Sequence, residues 1–351
     1  MSGRRAILIV TALVLAACAP TTTPPPSPTV TQPRSTPTPP PPARPDGQVF
    51  ESDDFIVTFA RRGDTPSSLA TRFLGDPRKA WMIEDYNDRK TFELDQEVII
   101  PKRQWSPAGV FASGYQLVPV LVYHNMAPEA KGRLVISVSA FEQQMQYLES
   151  EGYRVVSLDA LVAYTALGGQ LPRKSVVLTF DDGYRSFLQY AHPILTKHGF
   201  TATLFVYTDY VGSRNAMGWE DLRRLADEGF TIGAHSKTHT DLRRNQGETP
   251  EAFAQRMQVE LAQPLQLFRT RLGREPKFLA YPYGTHDDEV IHKVQDYGYT
   301  AAFSVRREGN ASFVYPLRLH RSQIYAEMTL KEFARNLNVF HEESLLPGKQ
   351  P

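Results

Sequence analysis

From residue 117 to about residue 345 the chain alternates between two textures. Short apolar, β-branched runs ("VPVLVY", "YRVVSL", "SVVLTF", "TATLFVY", "FTIGA", "FLAY", "TAAFSV", "YPLRL") are separated by stretches with helical spacing. A strand covered on both faces reads as a continuous apolar run, so these runs predict a parallel sheet with helices packed outside it. One helical stretch opens at Ser139 with Glu142 three residues on, a capping-box spacing, and sets Phe141, Met145 and Leu148 on one face. Another, "GWEDLRRLADEG", spaces Leu222 and Leu225 for burial and stops at Gly229. The repetition predicts an α/β fold that closes, or nearly closes, into a (β/α) barrel, in which chemistry sits at the C-terminal ends of the strands.

Ahead of this domain the texture changes. Residues 48–102 read as a small unit: a strand "FIVTFA", a turn at "RRGDT", a helix "PSSLATRFL" opened by proline, a second short helix "KAWMIEDYN" and a strand "QEVIIP". This βααβ outline, with Gly63-Asp64-Thr65, Trp81, Ile83, Asn87 and a strand ending at Pro101, resembles a LysM module. Pro66 and Asp95 depart from that pattern. The resemblance implies binding to N-acetylglucosamine glycans through the loops around Asp64-Thr65 and Tyr86-Asn87. Residues 103–116 read as a short linker and residues 19–47 as a Pro/Thr-rich one, a polyproline spacer able to reach roughly 80 Å. Residues 1–18 carry two arginines, an apolar run and "LAAC", a secretory signal whose end resembles a bacterial lipobox. That resemblance implies a lipidated Cys18, membrane attachment and an exported, envelope-anchored protein, at the periplasmic side of the outer membrane if the source is Gram-negative. Cys18 is the sole cysteine, which rules out an internal disulfide. With 39 basic and 38 acidic residues and no basic stripe, nucleic acid is not an expected partner.

Several predicted strands end in polar residues: "LVYH" at His124, "LTFDDG" at Asp181-Asp182, "IGAHSKTH" at His235 and His239, and "LAYPYG" at Tyr283. Strand ends that meet at one rim would gather these side chains into one pocket. Two histidines and a carboxylate form a zinc set with an open position, which makes Asp182, His235 and His239 candidate metal ligands. The neighbouring like charges of Asp181 and Asp182 become tolerable if a divalent cation, Zn2+ best, neutralises one and leaves the other as a base. The other histidines (His192, His198, His286, His292 and His341) have no evident partners, and Trp219 reads as packing. There is no Gly-x-Ser-x-Gly elbow and no phosphate loop.

"LTFDDG", "HSKTH" and "YPYG" resemble the successive motifs of the polysaccharide deacetylases, the NodB-homology or carbohydrate esterase family 4 enzymes, over residues 118–324. The resemblance implies a distorted (β/α) barrel and metal-dependent removal of acetyl groups from N-acetylated sugars. It implies Asp181 as general base, Asp182, His235 and His239 as metal ligands, and the Tyr283 backbone N–H as an oxyanion donor. The family's arginine in the third motif falls here on Ala280, with Arg318 or Arg321 as a replacement. "VPVLVYHNM" resembles the branch acting on poly-N-acetylglucosamine, which implies His124 as general acid; His320 is the alternative. The expected partner is thus an N-acetylglucosamine polysaccharide, an exopolysaccharide or peptidoglycan. An impaired glycan-binding scaffold or an O-acetyl xylan esterase are the competing readings.

Overall fold

The computed structural model describes residues 48–343. The signal segment with Cys18 and the Pro/Thr-rich stretch to residue 47 lie outside the described residues.

The first unit is a three-stranded antiparallel sheet, β1 (Val49–Glu51), β2 (Phe55–Phe59) and β3 (Glu97–Pro101), with β2 central. It is covered by α1 (Pro66–Leu74) and α2 (Ala80–Asn87). Pro66 occupies the first turn of α1, where its missing N–H is no loss, and Thr65 and Ser68 cap that end reciprocally. Ile56, Leu69, Ile83, Val98 and Ile100 make a small core of their own.

Two residues of the expected glycan surface are otherwise engaged. Asn87 clamps the unit from inside: its amide donates to the Ile83 and Ile99 carbonyls and accepts from the Ile99 N–H. The Tyr86 ring packs on Phe55 and, edge-on at 5.3 Å, on Trp105.

Residues 103–116 are not a free linker. The Gln170 side chain accepts from the backbone of Trp105 and Ser106, and β4 (Val110–Phe111) and β5 (Gly114–Gln116) form an antiparallel hairpin against the next domain's last strand.

The larger domain bears out the expected barrel. Its parallel sheet contains β6 (Val120–Tyr123), β9 (Arg154–Val155), β10 (Ser175–Asp182), β11 (Thr203–Val206), β12 (Thr231–Ala234), β13 (Phe278–Ala280), β14 (Ala301–Phe303) and β15 (Ser322–Gln323); β7 (Asn125–Ala127) and β8 (Val135–Ser137) pair separately. The order is β14-β13-β12-β11-β10-β6-β15, with β9 also on β10. A parallel bridge between Phe303 and Leu319 joins β14 to the segment that leads into β15, so the segment around residues 319–323 closes the ring. The last strand, β16 (Phe340–Glu342), pairs with β5.

Two local expectations shift. "YPLRL" is not a strand: Pro316 opens a 3₁₀ turn over Pro316–Arg318, and pairing resumes only at Leu319, then at Ser322. The helix α3 (Val138–Ser150) is capped by Ser137, which binds the Ala140 N–H, so Ser139 is already helical.

Side chains alternate across the barrel wall. Val120, Val177, Phe205, Phe303 and Leu319 share the inner cluster, while Leu121, Leu178, Leu204 and Ile232 join the cluster under the outer helices. Phe205 fills the interior against Gly233, where an added Cβ would lie 2.6 Å from the ring. A Gly233→Ala chain should therefore lose about 1–3 kcal/mol, read as a lower thermal midpoint, and a second change of Phe205→Leu should restore part of it.

Candidate metal centre and active site

Alternation along β10 points Thr179 and Asp181 inward and Phe180 outward. At Asp182 the strand breaks: its φ is 71°, and Gly183 (φ 85°) follows, packed so that a Cβ would meet Val206 at 2.8 Å. That turn lets two consecutive aspartates serve different neighbours.

Asp181 faces Arg321, which crosses the barrel from the closing segment. Its guanidinium donates to both carboxylate oxygens at 2.7 and 2.8 Å, to the Ser304 carbonyl at 3.0 Å and to the Thr179 hydroxyl at 3.3 Å. Its carbon lies 5.3 Å from the centre of the Phe205 ring. Arg321 is wholly buried and Asp181 nearly so. Burial alone would raise the Asp181 carboxyl, but the charge and hydrogen bonds of Arg321 outweigh it and hold it down at about 2. Of the two candidates for the arginine missing at Ala280, Arg321 reaches the aspartate; Arg318 instead pairs with Asp288 outside the cluster.

Asp182 is in the opposite state. Burial pushes it up to about 6 with the Asp181 charge reinforcing the shift, although His124 and the Tyr184 hydroxyl oppose it. Its Oδ1 is buried with no hydrogen-bond partner, 3.7 Å from His235 Nε2 and 3.5 Å from His239 Nε2. His235 shares its Nδ1 with the Ala280 carbonyl at 2.7 Å, which presents Nε2 to the cluster. The two Nε2 atoms are 3.2 Å apart, and burial depresses both imidazoles, His235 to about 4. One donor atom from each of Asp182, His235 and His239 lies within 4.8 Å of the others. Neutral imidazoles and a carboxylate with a free buried oxygen fit a divalent metal of the nitrogen- and oxygen-preferring kind.

His124 directly follows β6, and the pairing of Tyr123 with Phe180 sets it level with Asp181. Its Nδ1 is buried without a hydrogen-bond partner. Tyr283 stands on the same rim, its ring 4.8 Å from His239 and its φ at 58°. Asp182, Ser236, His239 and Tyr283 are four of the seven non-glycine residues with positive φ among the described residues. Strain of this kind persists where surroundings over-determine it.

The structure does not bring His320 to the cluster. Ser322 pairs with Leu121, so His320 stands at the level of Pro119, five residues or roughly 17 Å down the wall from His124 at about 3.3 Å per residue. It also points outward, since Leu319 and Arg321 take the inner positions.

Glu260 was not singled out in the sequence. It lies in a π-turn of the helical stretch after β12, nearly buried, and its carboxylate accepts from the Lys237 and Thr238 N–H groups and the Thr238 hydroxyl. It thereby fixes the loop between the two histidines. Its readable signal was an acid three residues after Met257 and next to Leu261, within a buried helical stripe.

A closed parallel barrel with an Asp-His-His donor set and an arginine-held aspartate at its rim suits hydrolytic chemistry, and comparison with known proteins points the same way. The sequence model of the polysaccharide deacetylase family matches residues 168–302. The Bacillus subtilis (strain 168) protein YxkH is 26% identical over 62% of this chain and 74% of its own length. The poly-beta-1,6-N-acetyl-D-glucosamine N-deacetylase of Escherichia coli (strain K12) is 24% identical over 71% of this chain, but the match spans only 42% of that protein. Among solved structures, IcaB from Ammonifex degensii superposes with a TM-score of 0.57 at 24% identity, covering 64% of this chain and 98% of that one. Over the matched segment the chain is similar to the polysaccharide deacetylases, hydrolases acting on the amide bonds of acetylated polysaccharides.

Two outcomes are expected. Arg321→Met should cost about 3–5 kcal/mol in urea unfolding, because it strands the Asp181 charge in the interior. Glu260→Gln should leave the fold intact but weaken Zn2+ binding about 10–100-fold in a chelator competition.

Proposed function

We propose that the protein is a metal-dependent N-deacetylase of an N-acetylglucosamine polysaccharide, with poly-N-acetylglucosamine favoured over peptidoglycan. The observation that carries this reading is the Asp182, His235 and His239 donor set placed beside an aspartate that Arg321 keeps ionised. A divalent ion held by those three residues, Zn2+ being best suited, would supply Lewis-acid polarisation of the acetamide.

The chain's own groups account for the proton transfers. Arg321 takes one lone pair on each Asp181 oxygen and leaves the others, and Oδ2 lies 3.8 Å from His235 Nε2 at the cluster, so Asp181 can accept the proton of the attacking water. His124, level with it, delivers a proton to the departing amine. The Tyr283 N–H, following a proline that has none, faces the oxyanion of the tetrahedral intermediate. Water adds across the C–N bond, releasing acetate and leaving a free amine on the sugar.

The relatives named for poly-N-acetylglucosamine support the substrate. Arg321 in place of the missing arginine supports catalysis over an impaired scaffold. The first unit, read as a LysM-like module, would hold the glycan near the barrel and raise its local concentration. Lipidation at Cys18 would tether both to the envelope, on the periplasmic side of the outer membrane in a Gram-negative source.

Acetate release from N-acetylglucosamine oligomers should require Zn2+, stop with chelator and fall at least about 10²-fold in Asp181→Asn. Tight Zn2+ binding with no release from oligomer or polymer would favour the scaffold, and faster release from acetylated xylan would favour the esterase.

A further inference from the structure

A cavity of about 630 Å³ opens on the barrel's outer wall, and none of the residues of the Asp-His-His cluster lines it. Its rim combines Tyr115 from β5, Phe313 from the loop after β14, His341 from β16, His320 and Ser322 from the closing segment, and Arg335. His320, which the barrel turns away from the metal centre, is therefore part of a different site.

One side of this cavity is an aromatic platform. The Tyr115 ring stacks on His341 at 4.7 Å with the planes 26° apart, and Phe313 meets it edge-on at 5.0 Å. Phe313 is 64% exposed, among the most exposed of the large apolar side chains described. The rest of the lining is polar and carries both signs of charge. Asn338 uses its carbonyl to accept from the Phe340 N–H and keeps its amide N–H groups available. His320 Nδ1 lies 3.3 Å from the Glu308 carboxylate but outside hydrogen-bond geometry, and is buried without a partner. A buried polar atom of that kind calls for a ligand hydroxyl or water.

Flat rings that receive C–H faces, beside planar amide and guanidinium donors and a carboxylate acceptor, match a pyranose with its ring hydroxyls. They do not match a lipid surface, which would not meet so many charged groups. We propose that this cavity is a secondary glycan subsite that binds a sugar unit of the polysaccharide away from the reacting acetamide, an inference that rests on the deacetylase reading for its choice of polymer.

The test uses the full chain carrying Asp181→Asn, so that the polymer is not consumed, and measures its retardation in native gels containing glycol chitin, a soluble N-acetylglucosamine polymer. Phe313→Ala and Arg335→Ala, both at exposed positions, should each weaken retention by about five- to tenfold. In the chain with Asp181 intact, the same changes should raise KM for the polymer by a similar factor and leave kcat unaltered. Retention unaltered by both changes overturns the subsite, whether or not the chain deacetylates the polymer. Weakened retention by a chain that releases no acetate sustains the subsite while refuting the deacetylase reading.

Discussion

The buried pair between Arg321 and Asp181 is the interaction on which the rest of the site depends. A guanidinium with no exposed surface is tolerable only if its donors are met, and here a carboxylate, a carbonyl and a hydroxyl meet them. The same arginine lies in the segment that closes the ring between β14 and β6. Barrel closure and the charge state of Asp181 are thus one structural event. A chain that failed to seat the segment would lose the counter-charge that keeps Asp181 ionised.

With Asp181 neutralised by arginine, Asp182 is left as the unpaired member of the pair. Its raised proton affinity, its orphaned oxygen and the two depressed imidazoles describe a site short of one positive charge. A divalent cation would reverse that balance. The backbone is bent to present these groups, with positive φ at Asp182, Ser236, His239 and Tyr283; the Glu260 carboxylate and the Ser236 hydroxyl bound to the His239 N–H hold the loop between the histidines, and the Ala280 carbonyl orients His235. Rigid supports of this sort hold the three donor groups close to one another.

The first unit is fastened to the barrel. Arg154 of β9 forms ion pairs with Glu84 and Asp85 of α2, and Asp85 also accepts from the Arg173 N–H at 2.9 Å. Asp85 is almost buried, so these contacts are harder to exchange for water than surface pairs. Trp105, between Tyr86 and Trp81, adds an aromatic seam. Any glycan held by this unit would be presented at a set position relative to the barrel. The face around Tyr86 and Asn87, a natural candidate from local pattern, is spent on holding the unit together.

Alternating runs and polar strand ends were enough to place His124, Asp181, Asp182, His235 and Tyr283 at one rim, because strand direction and the two-residue period are local properties. The His-x-x-x-His spacing made His239 legible for the same reason. What local pattern could not provide was the register between distant strands. That register sets His320 low on the outer wall and sends Arg321, its immediate neighbour, across the interior to Asp181. It also turned residues 103–116 from a linker into strands paired with the C-terminal strand β16. The sequence by itself determined which chemistry the chain could carry, through residue types at strand ends. Only the tertiary structure decided which arginine completes the aspartate and which histidine faces away, because both follow from pairing among residues far apart in the chain, where no short-range spacing carries the information.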